Sequence, residues 1–177
     1  ALDWLKEAAD AGLADAQYEL ASILISDIGE ALRYLQMAAE NGHLFAASDF
    51  GIAISWGLNG GNPATGLKWV QHSAALGDVD AAAFLSVYYL LNGENFDSET
   101  GLNWLAKASD LGDSFSSRVL GDLYLSGDLV EQSESKALTL FELAVEQGDD
   151  SATVSADLVC TFSNDPTIQE RCDLRLD

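Results

Sequence analysis

The sequence predicts an all-α solenoid of tandem helix pairs, about five of them, followed by a short C-terminal capping helix. Three observations carry this. A twelve-residue segment ending in glycine returns every 30 to 36 residues, a small and an apolar column follow each of those glycines, and turn-forming residues separate one unit from the next. The segments are 1–12 (ALDWLKEAADAG), 31–42 (ALRYLQMAAENG), 66–77 (GLKWVQHSAALG), 101–112 (GLNWLAKASDLG) and 137–148 (ALTLFELAVEQG), with closing glycines 30, 35, 35 and 36 residues apart.

The first helix of each pair, helix A, has Leu at its second position (Leu2, Leu32, Leu67, Leu102, Leu138) and a large residue at its fourth (Trp4, Tyr34, Trp69, Trp104, Leu140). Its eighth and ninth positions are small, as in Ala8-Ala9, Ala38-Ala39 and Ser73-Ala74. At 3.6 residues per turn these share one side, so bulky residues of one helix can meet a flat surface on the next. The regular place of Trp4, Tyr34, Trp69 and Trp104 reads as core rather than as a stacking platform. The glycine that follows suits a left-handed C-terminal cap.

Helix B comes next. Four places after the glycine stands a small residue (Ala16, Ala46, Ala81, Ser116, Ala152), and eight places on an apolar one (Leu20, Phe50, Leu85, Leu120, Ala156). Twelve places on are Leu24, Ile54, Tyr89, Tyr124 and Cys160, which completes a buried stripe at i, i+4, i+8. Linkers at Asn59-Gly60-Gly61-Asn62-Pro63, Asn92 to Asn95 and Ser126-Gly127-Asp128 lead to the next helix A; the first, Ser26 to Gly29, is abbreviated. The whole chain reads as one domain, with units at about 1–27, 28–61, 62–96, 97–132 and 133–163 and a cap at 164–177.

Asn164-Asp165-Pro166 is a helix-start signal, and the capping helix is expected to run from there to about Arg175. Cys160 falls in the helix-B core column and Cys172 on the cap. A disulfide between them would pin the cap where no further repeat buries the face and would imply an oxidising compartment; otherwise the two are reduced, buried thiols. The disulfide points to a periplasmic or secreted protein whose export signal has been removed, reduced thiols to a cytoplasmic one. Ala1 already falls inside a repeat and reads as the edge of a mature or trimmed chain.

The pattern A-x-x-W-x-x-K-A-A-x-x-G, followed by A-x-A-Q-x-x-L-G-x-x-Y-x-x-G-x-x-V-x-x-D-x-x-K-A, resembles the Sel-one-like repeat, a relative of the tetratricopeptide repeat. Ala1, Trp4, Ala8, Ala9, Gly12, Ala14, Ala16, Gln17 and Leu20 match it in the first unit, and Leu120, Gly121, Tyr124, Gly127, Val130, Lys136 and Ala137 in the fourth. Ala21 and Ser86 replace the glycine after the apolar residue, and Leu140 replaces the aromatic. The resemblance implies a bacterial, right-handed α-α superhelix that binds proteins as a scaffold or adaptor. Similar repeats also serve as immunity or inhibitor proteins that neutralise a toxic enzyme.

At 177 residues, 48% hydrophobic, with two prolines, the chain can build an ordered core. Its 29 acidic and 8 basic residues give a charge of −21, a field that repels nucleic acid and anionic membranes and would steer a basic partner, or serve only solubility or salt adaptation. No stretch has the length of a transmembrane helix. Catalytic, cofactor and metal constellations are not expected. His43 and His72 lie in different units, neither cysteine is in a Cys-x-x-Cys motif, Gly60-Gly61-Asn62-Pro63 lacks the ending of a phosphate loop, and Glu94 to Glu99 lacks the calcium-loop pattern.

In helix-pair solenoids the A helices line the concave surface, and positions three and seven face it. Here these are Asp3 and Glu7, Arg33 and Met37, Lys68 and His72, Asn103 and Lys107, Thr139 and Leu143. No acidic residue occurs between Asp49 and Asp78, so the middle should be the least negative part. The expected partner surface comprises Arg33, Met37, Lys68, His72, Asn103 and Lys107, with Trp56 at its rim; the plain alternative is ordinary solvated helix positions.

Overall fold

A computed structural model describes residues 2–174; Ala1 and residues 175–177, including the expected end of the cap at Arg175, lie outside the described residues. The helices are α1 (Leu2–Asp10), α2 (Ala14–Ile23), α3 (Ile28–Glu40), α4 (Leu44–Ser55), α5 (Pro63–Ala75), α6 (Val79–Leu91), α7 (Ser98–Asp110), α8 (Ser114–Ser126), α9 (Glu134–Glu146), α10 (Ala152–Phe162) and α11 (Pro166–Asp173), with a 3-10 turn at Leu58–Gly60. No helix among the described residues is long and apolar enough to cross a membrane. The chain forms two compact units that divide between Leu85 and Ser86. In the first, α1 packs on α2, α2 on α3, α3 on α4 and α4 on α5; in the second, α7 packs on α8, α8 on α9, α9 on α10 and α10 on α11.

Each A helix ends as its glycine predicts. Gly42 has φ of 88°, its N–H donates to Ala39 O, and the His43 N–H reaches back to Ala38 O; the same pair of bonds closes α1, α5, α7 and α9. These bonds satisfy carbonyls left open at the helix end, and a side chain at the glycine would strain the left-handed backbone. At the other end, Asp27, Asn62, Asp97 and Ser133 each accept the N–H three residues on. Because Asp27 is the cap, Gly29 lies inside α3 and the first linker ends two residues earlier than the sequence suggests.

Along helix B, the small column (Ala16, Ala46, Ala81, Ser116, Ala152) and the apolar column (Leu20, Phe50, Leu85, Leu120, Ala156) are both buried. Helix A differs from expectation. In α5, α7 and α9 position five is almost wholly buried, as Val70, Leu105 and Phe141, because it shares the face of the small residues at one and nine; in α3 it is Tyr34 at position four that is buried, and Leu35 is half-buried. The fourth position packs sideways onto the preceding pair: Tyr34 against Ala9, Ala16, Leu20 and Ala21, and Trp69 against Phe50, ring to ring at 6.2 Å. Trp4 therefore is not core. It is 77% exposed, since no pair precedes α1 among the described residues.

Polar side chains lock one pair to the next. Gln17 donates to Ala9 O at 2.9 Å and accepts from Asn41 at 2.9 Å. The same two repeat positions recur in the second unit as Ser117 donating to Gln147 at 2.6 Å, with Gln147 donating onward to Ser109 O at 2.8 Å. Between α4 and α5 these positions are Ala47 and Leu76, and the lock moves: the buried Asp78 carboxylate accepts from Ser48 at 2.5 Å, Ser73 at 2.8 Å and the Ala81 N–H at 3.1 Å. Among the described residues no buried side-chain nitrogen or oxygen is left unpaired, where each would cost about 1 to 3 kcal/mol.

Three carboxyls of the second unit are held below the usual range. Asp97 and Asp165 owe this to hydrogen bonds from the side chains and backbones of Thr100 and Thr167, Asp149 to the Ser151 hydroxyl and then to Arg118. A carboxyl whose folded value lies below its unfolded one contributes stability above about pH 4, and that contribution is lost as pH falls through the folded value. The melting temperature should fall below about pH 4, and more shallowly in a variant with Asp97, Asp149 and Asp165 replaced by asparagine, which still accepts hydrogen bonds. Identical acid limbs would remove these groups as the cause.

Cys160 and Cys172 form a disulfide. Asp165 caps α11 and Pro166 is its first residue, as the sequence predicts. The helix is more than an appended cap. Its N-cap follows those of the A helices in register, Asp27, Asn62, Asp97, Ser133 and then Asp165, which places Arg171 at the third position and Cys172 at the fourth. Ile168 and Cys172 are buried with Phe141, Ala144 and Val159, and Arg171 reaches back to Thr139 at 2.9 Å and to Glu142. The short helix α11 thus starts in the manner of the A helices and packs on the preceding pair as they do.

Candidate functional site

Within the first unit, Arg33 stands exposed on α3 and is held from three sides. Its guanidinium lies over the Tyr34 ring at 4.2 Å, donates to Met37 Sδ at 3.5 Å and pairs with Glu30 at 3.6 Å. These contacts fix a side chain that would otherwise be among the most mobile on a surface. Met37 itself is half-buried on the Ala9, Leu20 and Tyr34 cluster, so it steadies Arg33 more than it faces a partner.

Beside Arg33 is a cavity of about 280 Å³ between α3, α4 and the linker that follows. Leu32, Phe50 and Ile54 make its apolar floor, Arg33 and Gln36 one wall, and Leu58, Asn59 and Gly61 the other. The linker folds over this ground because Gly57, Asn59 and Gly60 all take left-handed φ, of 75°, 50° and 73°. Gly61 then lies so close to Ile54 that a Cβ there would be 2.5 Å from the Ile54 Cβ. Trp56, the C-cap of α4, is 68% exposed, with its ring edge-on to Phe84 at 6.0 Å.

Lys68 and His72 are exposed on α5, in the same unit but not on the cavity wall. In the second unit, Asn103 is exposed and the Lys107 ammonium rests 5.1 Å from the centre of the Trp104 ring. Thr139, at the same position as Arg33, borders a smaller cavity of about 240 Å³ with Leu120, Tyr124 and Lys136. His43 proves to be a helix cap: its Nδ1 accepts the Ala46 N–H and its ring stacks on Tyr18 at 4.2 Å. Burial, and then the Asp49 carboxylate, push the Tyr18 phenol above its ordinary range.

Of the residues expected at a partner surface, Arg33 lines this cavity and Trp56 does not; Gln36, Asn59 and the cavity floor were not among those expected. The signal was the Asn59-Gly60-Gly61 run, whose residue types tolerate positive φ and let the linker fold back.

The sequence profile of the Sel1 repeat matches residues 1–13, 14–43, 79–113 and 116–149. The stretch from 44 to 78, with the cavity linker and α5, lies outside those matches. Among solved structures, the chain is similar to c5321, a protective antigen of uropathogenic Escherichia coli with an SLR fold (TM-score 0.76, 27% identity, 86% of this chain and 34% of that one). It is also similar to a Sel1 repeat protein from Oxalobacter formigenes (TM-score 0.74, 25% identity, 85% of this chain and 65% of that one). A third likeness is to the immunity protein Pa5087 from Pseudomonas aeruginosa (TM-score 0.57, 25% identity, 85% of this chain and 59% of that one). This chain thus spans about a third of the length of the first and less than two thirds of the others. No curated protein matches it in sequence.

Proposed function

Because this chain belongs to the Sel1 repeat family, whose members mediate protein–protein interaction, we propose that it is a scaffold or adaptor that grips a partner protein through its first unit. The observation that carries this reading is the cavity of about 280 Å³ with an apolar floor and a fixed guanidinium on its wall. Such a site takes one apolar side chain of a partner segment and offers Arg33 to a carboxylate or carbonyl beside it. Lys68, His72 and Trp56 are the neighbouring contacts in the same unit, and Asn103 and Lys107 would serve the second. The charge of −21 acts at longer range and favours a partner whose overall surface is basic. The disulfide supports a periplasmic or secreted setting.

The test is retention of native partners on immobilised protein, compared with Arg33→Glu and Leu58→Asp variants. Each substitution should reduce affinity for the retained partner about tenfold or more while leaving the melting temperature unchanged. Unaltered affinity in both would remove the cavity as the site. If the partner is an enzyme whose activity falls on binding, the inhibitor role replaces the scaffold role.

A further inference from the structure

The fourth position of helix A is aromatic in α1, α3, α5 and α7, as Trp4, Tyr34, Trp69 and Trp104, but aliphatic in α9, as Leu140. In the first unit the ring at this position packs with the residues eight and twelve places after the preceding glycine. Tyr34 joins the cluster of Leu20 and Leu24, and Trp69 that of Phe50 and Ile54. The same two places on α8 hold Leu120 and Tyr124. Beside them lies the cavity of about 240 Å³, whose other walls are Ser135, Lys136, Thr139 and Leu140 of α9.

The space exists because α9 has exchanged the sizes of two neighbours. Leu140 is shorter than an aromatic side chain and only half-buried, while the ring of this helix stands one position later, where Phe141 is buried over Gly121. Both walls are inner helices, with α7 packed on α8 and α10 on α9, so the cavity is no product of a chain end. A dry cavity of about 150 Å³ already admits a benzene ring.

Charge decides which apolar group suits it. The exposed Lys136 ammonium lies 4.8 Å from the centre of the Tyr124 ring and borders the cavity, and the electron-rich face of a second ring is complementary to it. An anionic ligand would meet the same ammonium but also the field of a chain of charge −21, which a neutral ring does not feel. The exposed Ser135 hydroxyl on the same wall can accept from an indole N–H or a phenol O–H.

We propose that this cavity is a second partner-binding site, and that it receives the tryptophan or tyrosine side chain of a partner protein. The incoming ring takes the place in the aromatic column that Leu140 leaves open. It rests on Leu120 and Leu140, turns its face to Lys136 and its polar edge to Ser135. The site lies in the second unit and stands or falls apart from the Arg33 cavity of the first.

The probe is an acetylated and amidated Gly-Trp-Gly peptide, which carries no charge, titrated into isotope-labelled protein and followed by amide chemical shifts. Saturable shifts should appear at Tyr124, Ser135, Lys136 and Leu140 with a dissociation constant of about 1 mM, and a Gly-Leu-Gly peptide should bind about tenfold more weakly. Leu140→Trp, which supplies the ring from within, should weaken binding about tenfold or more and raise the melting temperature by about 2 to 4 °C. Lys136→Met keeps the stem, removes the charge and should weaken binding about threefold; it decides the matter if the new indole stays outside the cavity. Arg33→Glu should leave the titration unchanged, which keeps a failure of this site apart from a failure of the first-unit cavity. Equal binding of the leucine peptide would mean an unspecific apolar surface and overturn the proposal. So would full affinity in Lys136→Met, or full affinity in a Leu140→Trp variant with a raised melting temperature. Free indole that binds more than about tenfold tighter than the peptide would make the cavity a small-molecule pocket and overturn docking of a protein.

Discussion

Replacing Gly66 with alanine should destabilise the protein by about 2 to 3 kcal/mol, although the same change in an ordinary helix interior gains up to about 1 kcal/mol. Gly66 opens the core face of α5, and a Cβ there would stand 2.5 Å from both Gly51 O and Ser55 N and 2.9 Å from Ile54 Cγ1. Two of these are backbone atoms, which cannot rotate away. Gly51 faces the same contact from α4, with Gly66 O, Trp69 Cβ and Val70 Cγ2 each 2.8 Å from its own missing Cβ. The helices touch backbone to backbone, so a methyl group forces them apart and loosens the packing of Trp69 and Val70. Urea unfolding measures the effect, and a stabilised variant would show that α4 and α5 are less closely apposed than described.

The second large effect is expected at Phe141, which is fully buried in the core of the second unit. Truncation to alanine should cost about 3 to 5 kcal/mol. Its ring occupies the space over Gly121, where an added Cβ would meet Phe141 Cε1 at 2.7 Å and Cδ1 at 2.8 Å. Gly121→Leu alone should therefore cost about 2 kcal/mol or more through overpacking. Combined, the large and small residues have exchanged sides, and the double variant should be less destabilised than the sum of the two by at least about 1 kcal/mol. Strict additivity in denaturant unfolding would mean that the two residues do not share one volume.

The two glycine sites mark the limit of what the sequence tells. The helix pairs were legible because the capping glycines, the small and apolar columns of helix B and the N-cap residues each depend on local geometry alone. The burial of position five in α5, α7 and α9 was not, because the fourth position carries the larger residues, and only the stacked structure shows that Tyr34 and Trp69 pack onto the preceding pair. Trp4 is the plain case: with no pair before it among the described residues, a residue of the core column is exposed. The likeness of α11 to the A helices was hidden because the repeat is read from its closing glycines, whereas α11 shows it through its N-cap and its packing. Of the candidate site, Arg33 was legible from its place in the repeat. The cavity beside it was not, since it depends on three left-handed residues in one linker.

The buried hydrogen bonds between neighbouring pairs act as an address. Gln17 is completed by Asn41, Asp78 by Ser48 and Ser73, and Ser117 by Gln147. A recombination event that excised the second pair would set Gln17 against Leu76, and the orphaned amide oxygen would cost about 1 to 3 kcal/mol. Chains of near-identical repeats can grow or shrink by unequal crossing-over, but within each unit of this one neighbouring pairs carry polar groups that match, and a changed order would leave them unmatched.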